Sequence, residues 1–259
     1  MQVSVDKRAV VSPKAEIGDG VCVGPFTVIE DDVSIGDGCK IGANALIANG
    51  ARIGKNCVIH HAAVVSNAPQ DLKYGGEETI SEIGNNTVIR EFVTIHRGTA
   101  ETGRTVVGSD CLLMANVHVA HDCKVGSNCI LANVVALGGH VTLGDWVIIG
   151  GLTPVHQFSC IGSHAMIGGG LRVTQDVPPY VLAGREPLRF EGVNKIGLRR
   201  RGFSQEQIET IEKAYRVLYS SGLMFTEAIK RIESEFSNSR EATAVVDFLK
   251  SSTRGIIRK

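Results

Sequence analysis

The chain has 259 residues, in which 27 lysines and arginines balance 27 aspartates and glutamates. A net charge of zero gives no electrostatic reason to expect a nucleic-acid partner, and no apolar run is long enough to predict a transmembrane segment. The N-terminal stretch also lacks the apolar core of a signal peptide.

A branched apolar residue recurs every six positions from Val11 to Val173. Of the 28 positions in this phase, which we call hexad positions, 25 are valine, isoleucine or leucine. A small side chain usually stands two residues earlier, and glycine directly follows 13 of the hexad residues. Alternation puts the hexad residue and the small residue on one face of a short strand, and we expect the glycine to supply the unusual backbone angles of a corner. The pattern predicts a solenoid whose coils bury their inner faces only against their neighbours.

The hexad pattern resembles the hexapeptide-repeat acyltransferases, whose fold is a triangular prism with three hexads in each coil. The resemblance implies an all-β left-handed parallel β-helix, although general topology rules alone would favour a right-handed connection. At roughly 18 residues per coil, the hexad positions predict about nine coils.

Three hexad positions carry an acidic residue instead of an apolar one: Asp71, Glu77 and Glu101. They fall in two segments, 68–79 and 98–104, across which the phase of the repeat is kept. We interpret 68–79 as functional, because loops on a rigid scaffold are where sites tend to lie. For 98–104 a solvated loop and a functional loop are equally compatible with the pattern.

The chain has seven cysteines, an odd number, and five of them occupy the small inward column. These five are Cys39, Cys57, Cys111, Cys123 and Cys129. Cysteine at such positions acts as a compact core residue, which favours a reducing compartment over disulfides or a metal site. We therefore expect a cytoplasmic protein.

The repeat stops around Pro178 and Pro179, and helical periodicity follows. Ser204 and Gln207 have the spacing of a capping box at the start of a helix, which Gly222 should end. Two further helices are predicted at about 226–236 and 240–249. The sequence therefore predicts a β-helix over 1–188 and a C-terminal α-helical domain over 189–259.

The segment that joins the two parts is basic. Between 185 and 201 it has six positive and two negative side chains. It is either a solvated linker or a site for phosphate groups or an acidic partner.

The 18-residue spacing brings distant polar residues together. His121, Gly139 and Gln157 share one column of the prism, and Asp122 and His140 share the next. His118 and His156 lie close by in the sequence, and all eight histidines are expected at corners or on outer faces. This cluster predicts a functional site, although a polar contact between subunits would use the same residues.

A zinc site would need three converging imidazoles. The β-helical carbonic anhydrases resemble this architecture and use two histidines spaced H-x-x-x-x-H, a spacing that no pair has here. We therefore expect no metal. Acyl transfer to a hydroxyl fits better, because it needs a base and a donor to the oxyanion. His121 with Asp122 supplies the first, and the backbone N–H of Gly139 supplies the second.

Several longer stretches make the resemblance specific. They are QDLKYGGE (70–77), TIHRGT (94–99), VGSDCLLMANVHVAHDCKVG (107–126), GGHV (138–141), VHQF (155–158), QDVPPYV (175–181) and GVNKIGLRRRGFS (192–204). Together they closely resemble the UDP-N-acetylglucosamine O-acyltransferase family, which catalyses the first step of lipid A synthesis. The resemblance implies a homotrimer with active sites between subunits. It also implies a 3-hydroxyacyl group on acyl carrier protein as donor and the glucosamine 3-hydroxyl of UDP-N-acetylglucosamine as acceptor.

The resemblance also implies roles for individual residues. His121 matches the general base, Asp122 its orienting carboxylate, and Gly139 the donor to the oxyanion. The matching substrate-binding residues are Gln70, Asp71, Lys73, His118, His140, His156, Gln157, Asn194, Arg200 and Arg201. Gly169 matches a position that limits acyl length, and a glycine there fits a longer chain. No cofactor is implied beyond the phosphopantetheine of the carrier protein.

Two departures from the family pattern concern the nucleotide. The segment 183–192 lacks a histidine that the best-known version of the family has in this region, and Ile196 stands where that version has a carboxylate near the uridine.

Three other classes of protein are alternatives, and one feature distinguishes each of them from the family named above. The N-acyltransferase that acts two steps later carries an N-terminal domain, for which hexads beginning at Val11 leave no room. Acetyl-CoA-dependent hexapeptide enzymes lack the QDLKY and GLRRRGF segments. A non-catalytic nucleotide-sugar binder would need no base at His121. The sequence leaves open both the acyl length and the choice between a 3-hydroxyl and a 3-amine acceptor.

Overall fold

The computed structural model describes residues 3–259. Its first nine strands are β1 (Ser4–Val5), β2 (Val10–Val11), β3 (Glu16–Ile17), β4 (Cys22–Val23), β5 (Val28–Ile29), β6 (Val33–Ile35), β7 (Lys40–Ile41), β8 (Leu46–Ile47) and β9 (Ala51–Ile53). The next nine are β10 (Val58–Ile59), β11 (Val64–Asn67), β12 (Ile80–Ile83), β13 (Val88–Ile89), β14 (Thr94–His96), β15 (Arg104–Val107), β16 (Leu112–Leu113), β17 (His118–Val119) and β18 (Lys124–Val125). The last nine are β19 (Ile130–Leu131), β20 (Ala136–Leu137), β21 (Thr142–Leu143), β22 (Ile148–Ile149), β23 (Pro154–Val155), β24 (Cys160–Ile161), β25 (Met166–Ile167), β26 (Val181–Gly184) and β27 (Arg189–Val193). Short strands with tight corners between them form a prism.

Consecutive strands belong to three different sheets, so the chain winds around a common axis. Sheet A begins with β1 and takes every third strand up to β25, followed by β26 and β27. Sheet B takes every third strand from β2 to β23, and sheet C every third strand from β3 to β24. Neighbouring strands pair in parallel, except for the antiparallel pair β26–β27. This is the predicted parallel β-helix.

From β1 to β25 the register repeats every 18 residues, as in the pair Ser4 and Cys22, except at two insertions. Beyond β25 the separation falls to 16 residues, between Met166 and Leu182. In sheet B, Val64 pairs with Thr94, which is 30 positions later, and Thr94 pairs with His118, which is 24 positions later. The excess over 18 is taken up by the segments 68–79 and 98–104, both between a strand of sheet B and a strand of sheet C. Because these insertions absorb one coil's length of chain, the expectation of nine coils was one too many. Eight turns lead from Val11 to Val173, the residue that pairs with Val155.

The glycines that follow hexad residues have a different role from the predicted one. None of these 13 has a positive φ; the left-handed residues lie two positions further on and most are not glycine, for example Asn128 at φ 60°. The reason for glycine is the closeness of the next coil. A Cβ on Gly36 would lie 2.8 Å from the carbonyl carbon of Gly54, a distance at which backbone atoms clash.

The core is the interior of the prism. The hexad residues from Val23 to Val173 that keep an apolar side chain are buried, and so are most of the small residues two positions before them. The five cysteines of this column are buried free thiols, and their Sγ atoms lie near carbonyl oxygens of the neighbouring coil, as between Cys39 and Gly54 at 3.1 Å. This confirms that they act as core residues.

The C-terminal part consists of α1 (Lys195–Arg200), α2 (Gln205–Ser220), α3 (Phe225–Glu235) and α4 (Arg240–Ser251). The three predicted helices are confirmed, including the capping box of Ser204 and Gln207. The short helix α1 was not predicted from the sequence. The hairpin of β26 and β27 extends sheet A across residue 188, where the domain boundary was predicted, and that boundary stays a prediction. Among the described residues, no helix is long and apolar enough to cross a membrane.

Candidate active site

The candidate site lies along one corner of the prism, which we call the B–C edge: the line where the chain leaves sheet B for sheet C. His121 and Asp122 occupy the corner between β17 and β18, and Gly139 and His140 occupy the corner one coil further on. The loops 68–79 and 98–104 leave the prism at the same edge. The repeat therefore gathers both insertions and the histidine cluster on one line.

Asp122 is held by four hydrogen bonds although its side chain is fully buried. Oδ1 accepts from the backbone N–H of Thr99 at 3.0 Å and from the hydroxyl of Thr102. Oδ2 accepts from the hydroxyl of Thr99 at 2.8 Å and pairs with Nδ1 of His121 at 2.7 Å. Burial by itself raises the pKa of this carboxyl, but the bonds from Thr102, His121 and Thr99 together hold the pKa of Asp122 below its usual value. It is therefore an ionised acceptor at neutral pH.

The aspartate determines which nitrogen of His121 carries the proton. An ionised carboxylate only accepts hydrogen bonds, so Nδ1 of His121 donates, and Nε2 is the unprotonated nitrogen of the neutral ring. The His121 side chain is 13% exposed, which leaves the ring within reach of a substrate. This is the arrangement of a general base with an orienting carboxylate.

Gly139 lies against the ring of His121. A Cβ on Gly139 would be 2.8 Å from Nε2 and 2.7 Å from Cε1, so only glycine leaves the ring in place. Among residues 3–259, no acceptor is bonded to the Gly139 N–H, whereas the next residue, His140, donates its backbone N–H to the carbonyl of His121 at 3.1 Å. A free backbone donor next to the base can bind an oxyanion.

His140 lies next to His121 and Asp122 in the site. Its ring meets that of His121 edge-on at 5.2 Å and stacks on Phe158 at 4.5 Å. Its Nε2 lies 3.7 Å from Oδ2 of Asp122 and 3.5 Å from a carboxylate oxygen of Glu101. His121, Asp122 and His140 each offer one ligand atom within 4.8 Å of the others, so this group could hold a cation. The expected absence of a metal stays a prediction.

His118 lies on the outer face of β17. Its Nδ1 is 2.7 Å from the hydroxyl of Thr94, and its ring meets that of His96 edge-on at 5.1 Å. Burial, with smaller contributions from His96 and His121, lowers the pKa of His118 to about 4, so the ring is neutral near pH 7. His96, which was expected at a corner or on an outer face of the prism, directly follows the hexad residue Ile95 in β14 and is only 4% exposed.

The remaining predicted residues on the B–C edge are exposed, except for Asp71, which is partly buried. His156 and Gln157 lie at the corner one coil beyond Gly139, where Nδ1 of His156 is 3.0 Å from the carbonyl of Gln157. In the loop 68–79, Gln70 and Lys73 are exposed, and Asp71 accepts from the backbone N–H of Lys73 at 2.9 Å. Among the described residues, this loop makes no side-chain hydrogen bond or ion pair with His121 or Asp122. The structure of one chain therefore does not join these two halves of the predicted site by a side-chain hydrogen bond or ion pair.

The predicted nucleotide residues lie around α1. The side chain of Asn194 is used within the chain: its Oδ1 caps α1 by accepting from Gly197 N at 3.2 Å, and its Nδ2 donates to the carbonyl of His164 at 3.0 Å. The guanidinium of Arg201 lies 5.1 Å from the ring of Trp146. Arg200 is exposed.

Arg201, Trp146 and His164 line a cavity of about 710 Å³ between the prism and the helices. Burial, with Arg201, lowers the pKa of His164 to about 4. Gly169 lies at another corner, where a Cβ would be 3.0 Å from the carbonyl of Gly151.

Comparisons with known proteins show the family to which the chain belongs. A family model described as UDP-N-acetylglucosamine O-acyltransferase, domain 2, matches residues 176–257, and one described as bacterial transferase hexapeptide matches 32–67 and 104–136. An acyl-[acyl-carrier-protein]–UDP-N-acetylglucosamine O-acyltransferase of Aliivibrio fischeri is 47% identical over 98% of this chain and 97% of its own length. The enzyme of the same name from Myxococcus xanthus is 49% identical over 73% of this chain and 74% of its own length. The chain belongs to the UDP-N-acetylglucosamine O-acyltransferase family.

Solved structures of this acyltransferase family agree with the fold. The enzyme of Bacteroides fragilis has a TM-score of 0.94 and 49% identity, and covers 98% of this chain and 99% of its own. The enzyme of Francisella novicida has a TM-score of 0.96 and 39% identity, over 98% of this chain and 94% of its own. Together with the hexapeptide match, they confirm the left-handed parallel β-helix. Membership of the acyltransferase family also decides against the non-catalytic alternative.

Thr99, Thr102 and Glu101 belong to the site but were not predicted from the sequence. One signal could have found them. The segment 98–104 precedes Asp122 by one coil on the same edge, and a buried carboxylate needs donors that the corner itself does not supply.

Proposed function

We propose that this enzyme transfers a 3-hydroxyacyl group from acyl carrier protein to the glucosamine 3-hydroxyl of UDP-N-acetylglucosamine, the first step of lipid A biosynthesis. Family membership supports the substrates. The observation that carries the chemistry is the pair of His121 and Asp122, joined at 2.7 Å, with Gly139 close to Nε2 of the imidazole.

His121 is the general base in this proposal. Its Nε2 takes the proton of the 3-hydroxyl as the hydroxyl oxygen attacks the thioester carbonyl, and a tetrahedral intermediate forms. The N–H of Gly139 donates to the oxyanion of this intermediate. The intermediate then collapses, the carbon–sulfur bond breaks, and the imidazolium returns its proton to the departing thiolate of the phosphopantetheine. The proposed acyl transfer requires no cofactor beyond the phosphopantetheine of the carrier protein.

Asp122 has two functions in this scheme. It fixes the ring of His121 with Nε2 toward the substrate, and its negative charge stabilises the imidazolium that forms during the attack. A base of this kind contributes on the order of a hundredfold to ten-thousandfold in rate. A preorganised oxyanion donor contributes on the order of a hundredfold to a thousandfold.

The remaining predicted residues bind the substrates in this proposal. Asp71 and Lys73, with Gln70, hold the sugar and its phosphates, and Arg200 and Arg201 meet the nucleotide. His118, His140, His156 and Gln157 contact the sugar and the phosphopantetheine arm, Asn194 belongs to the nucleotide end, and Gly169 limits the acyl chain. For Asn194 the contribution is indirect, since its amide caps α1 and so places the helix that precedes Arg201.

A homotrimer is part of the proposal, because the loop of Asp71 and Lys73 makes no side-chain hydrogen bond or ion pair with His121 among the described residues of its own chain, and a neighbouring subunit could supply this loop. A cytoplasmic location is also proposed, because buried free cysteines are typical of a reducing compartment.

One assay tests the function. Purified protein is incubated with 3-hydroxyacyl carrier proteins of several chain lengths and with UDP-N-acetylglucosamine or its 3-amino analogue. We expect acylation of the 3-hydroxyl by the wild type and a loss of about a thousandfold or more in kcat for His121→Ala. Near-normal turnover by His121→Ala would show that another group is the base, and transfer to the amine alone would show that the acceptor is wrong.

A further inference from the structure

The loop 98–104 folds directly onto Asp122. Its sequence was equally compatible with a solvated loop and with a functional loop. Two of its threonines supply three of the four hydrogen bonds that the carboxylate accepts. The backbone N–H of Asp122 in turn donates to the hydroxyl of Thr105, just after the loop, at 2.8 Å. Asp122 is therefore enclosed by this segment on the side away from His121.

The loop is fixed to the prism at both of its ends. Gly98 donates its N–H to the carbonyl of Ile80 at 3.2 Å, and Ile80 donates its own N–H to the carbonyl of Gly103 at 3.0 Å. Gly103 closes the loop by donating to the carbonyl of Thr99 at 2.8 Å. The neck is also narrow, because a Cβ on Gly98 would lie 2.2 Å from the backbone nitrogen of Arg104. These backbone hydrogen bonds fix the loop that carries Thr99 and Thr102.

The four hydrogen bonds hold the carboxylate of Asp122 in a single orientation. Each oxygen of Asp122 accepts one bond from a threonine hydroxyl, and the second bond of each comes from Thr99 N or from Nδ1 of His121. Rotation of the carboxyl group would break bonds on both oxygens of a side chain that is fully buried. The direction of Oδ2 fixes the His121 ring, and therefore the position of Nε2.

We propose that Thr99 and Thr102 are positioning residues of the catalytic machinery, which act on the base through Asp122. This inference rests on the proposed function, because it assigns the two threonines to the His121 step. Neither hydroxyl needs to touch substrate. Their contribution is to hold Asp122 ionised and aimed at Nδ1 of His121.

The test uses Thr99→Val and Thr102→Val in the full-length enzyme, since valine keeps the shape of threonine and removes the donor. We expect kcat to fall about 10- to 100-fold for each, the usual effect of losing a hydrogen bond to a charged group, with the acceptor KM changed less than about twofold. Thr99→Ser and Thr102→Ser restore the hydroxyl and should restore most of kcat. Thr226→Val, at an exposed position of α3, is the matched control and should keep wild-type kcat.

A double-mutant cycle separates positioning from general damage to the fold. If the threonines act only through Asp122, Thr102→Val will cost little in an enzyme that already carries Asp122→Asn. An undiminished loss in that background would overturn the proposal, as would wild-type kcat in both valine variants. Failure of the proposed function looks different: the wild type does not acylate the 3-hydroxyl, or His121→Ala stays active. Thermal unfolding of each variant checks that the prism is intact.

Discussion

Gly139 lies so close to the imidazole ring of His121 that a methyl group at position 139 would be 2.7 Å from Cε1 of the ring. The two residues are 18 positions apart, one coil of the prism, and their contact results from the stacking of two corners. Several predictions depend on this corner and its surroundings.

Gly139→Ala should displace His121 and lower kcat about 100-fold or more, because the new methyl group and the ring cannot occupy the same space. The fold should persist, since position 139 does not have a positive φ. Steady-state kinetics measure the effect. In an enzyme that already carries His121→Ala, the same change should cost little. A full additional loss there would mean that Gly139 acts independently of the base.

Chelators should leave activity unchanged, because the proposed chemistry uses His121 as a base and needs no cation. The measurement is kcat after incubation with EDTA and removal of free metal by dialysis. Loss of activity that zinc restores would instead assign the group of His121, Asp122 and His140 to a metal site.

Replacing Lys73 by Met should raise the acceptor KM about tenfold and leave kcat nearly unchanged, because the lysine is proposed to meet phosphate. Arg201→Lys should have a similar effect, since lysine keeps the charge but loses the planar group that stacks on Trp146. Lys230→Met on α3 is the control for a change in total charge. An unchanged KM in both variants would require a different position for the nucleotide.

Acid should destabilise the protein partly through His118. Its pKa is lowered to about 4 in the folded chain by burial and by neighbouring histidines, and in the unfolded chain it has the usual value of 6.5. The unfolded state therefore takes up the proton first as the pH falls. Stability present above pH 6.5 is lost progressively toward pH 4. Urea unfolding of the wild type and of His118→Asn at one protein concentration measures this. The variant should lose less stability across that window, and equal slopes would contradict the assignment.

Asp176 should matter for stability rather than for catalysis. Its buried carboxylate accepts from the backbone N–H of Cys160 at 2.8 Å and from the hydroxyl of Ser252 at 2.7 Å, which ties the C-terminal tail to the end of the prism. Asp176→Ala leaves the Cys160 N–H without a partner and should cost about 2 kcal/mol of the free energy of unfolding. Asp247→Ala, at an exposed position of α4, is the control. A smaller loss in Asp176→Ala than in the control would show that the tail is held by other contacts.

Much of the fold and part of the site could be predicted from the sequence, because a repeat converts sequence distance into spatial distance. The contacts of His121 with Gly139 and of Asp122 with His140 follow from the 18-residue spacing. The same reasoning does not apply inside the two insertions, where the residues leave the prism. Which side chains of 98–104 would turn back onto Asp122 depends on bonds such as Thr99 to Asp122, which no periodicity encodes.

Two errors had simpler physical causes. The glycines after hexad residues were explained by backbone angles, whereas the distance between adjacent coils is what excludes a Cβ there. The short helix α1 was missed because its capping residue, Asn194, stands in a basic segment without apolar periodicity. Only the first of these features depends on neighbours that are distant in the sequence.

The two insertions have a consequence for how such a protein can be redesigned. They add chain length in steps of twelve and six residues at one corner, and the strands on either side keep their partners. Loops can therefore be exchanged at this corner as cassettes, without any change to the interior that holds the molecule together. New acceptor selectivity could be selected from libraries confined to 68–79 while 98–104 and the catalytic pair stay constant.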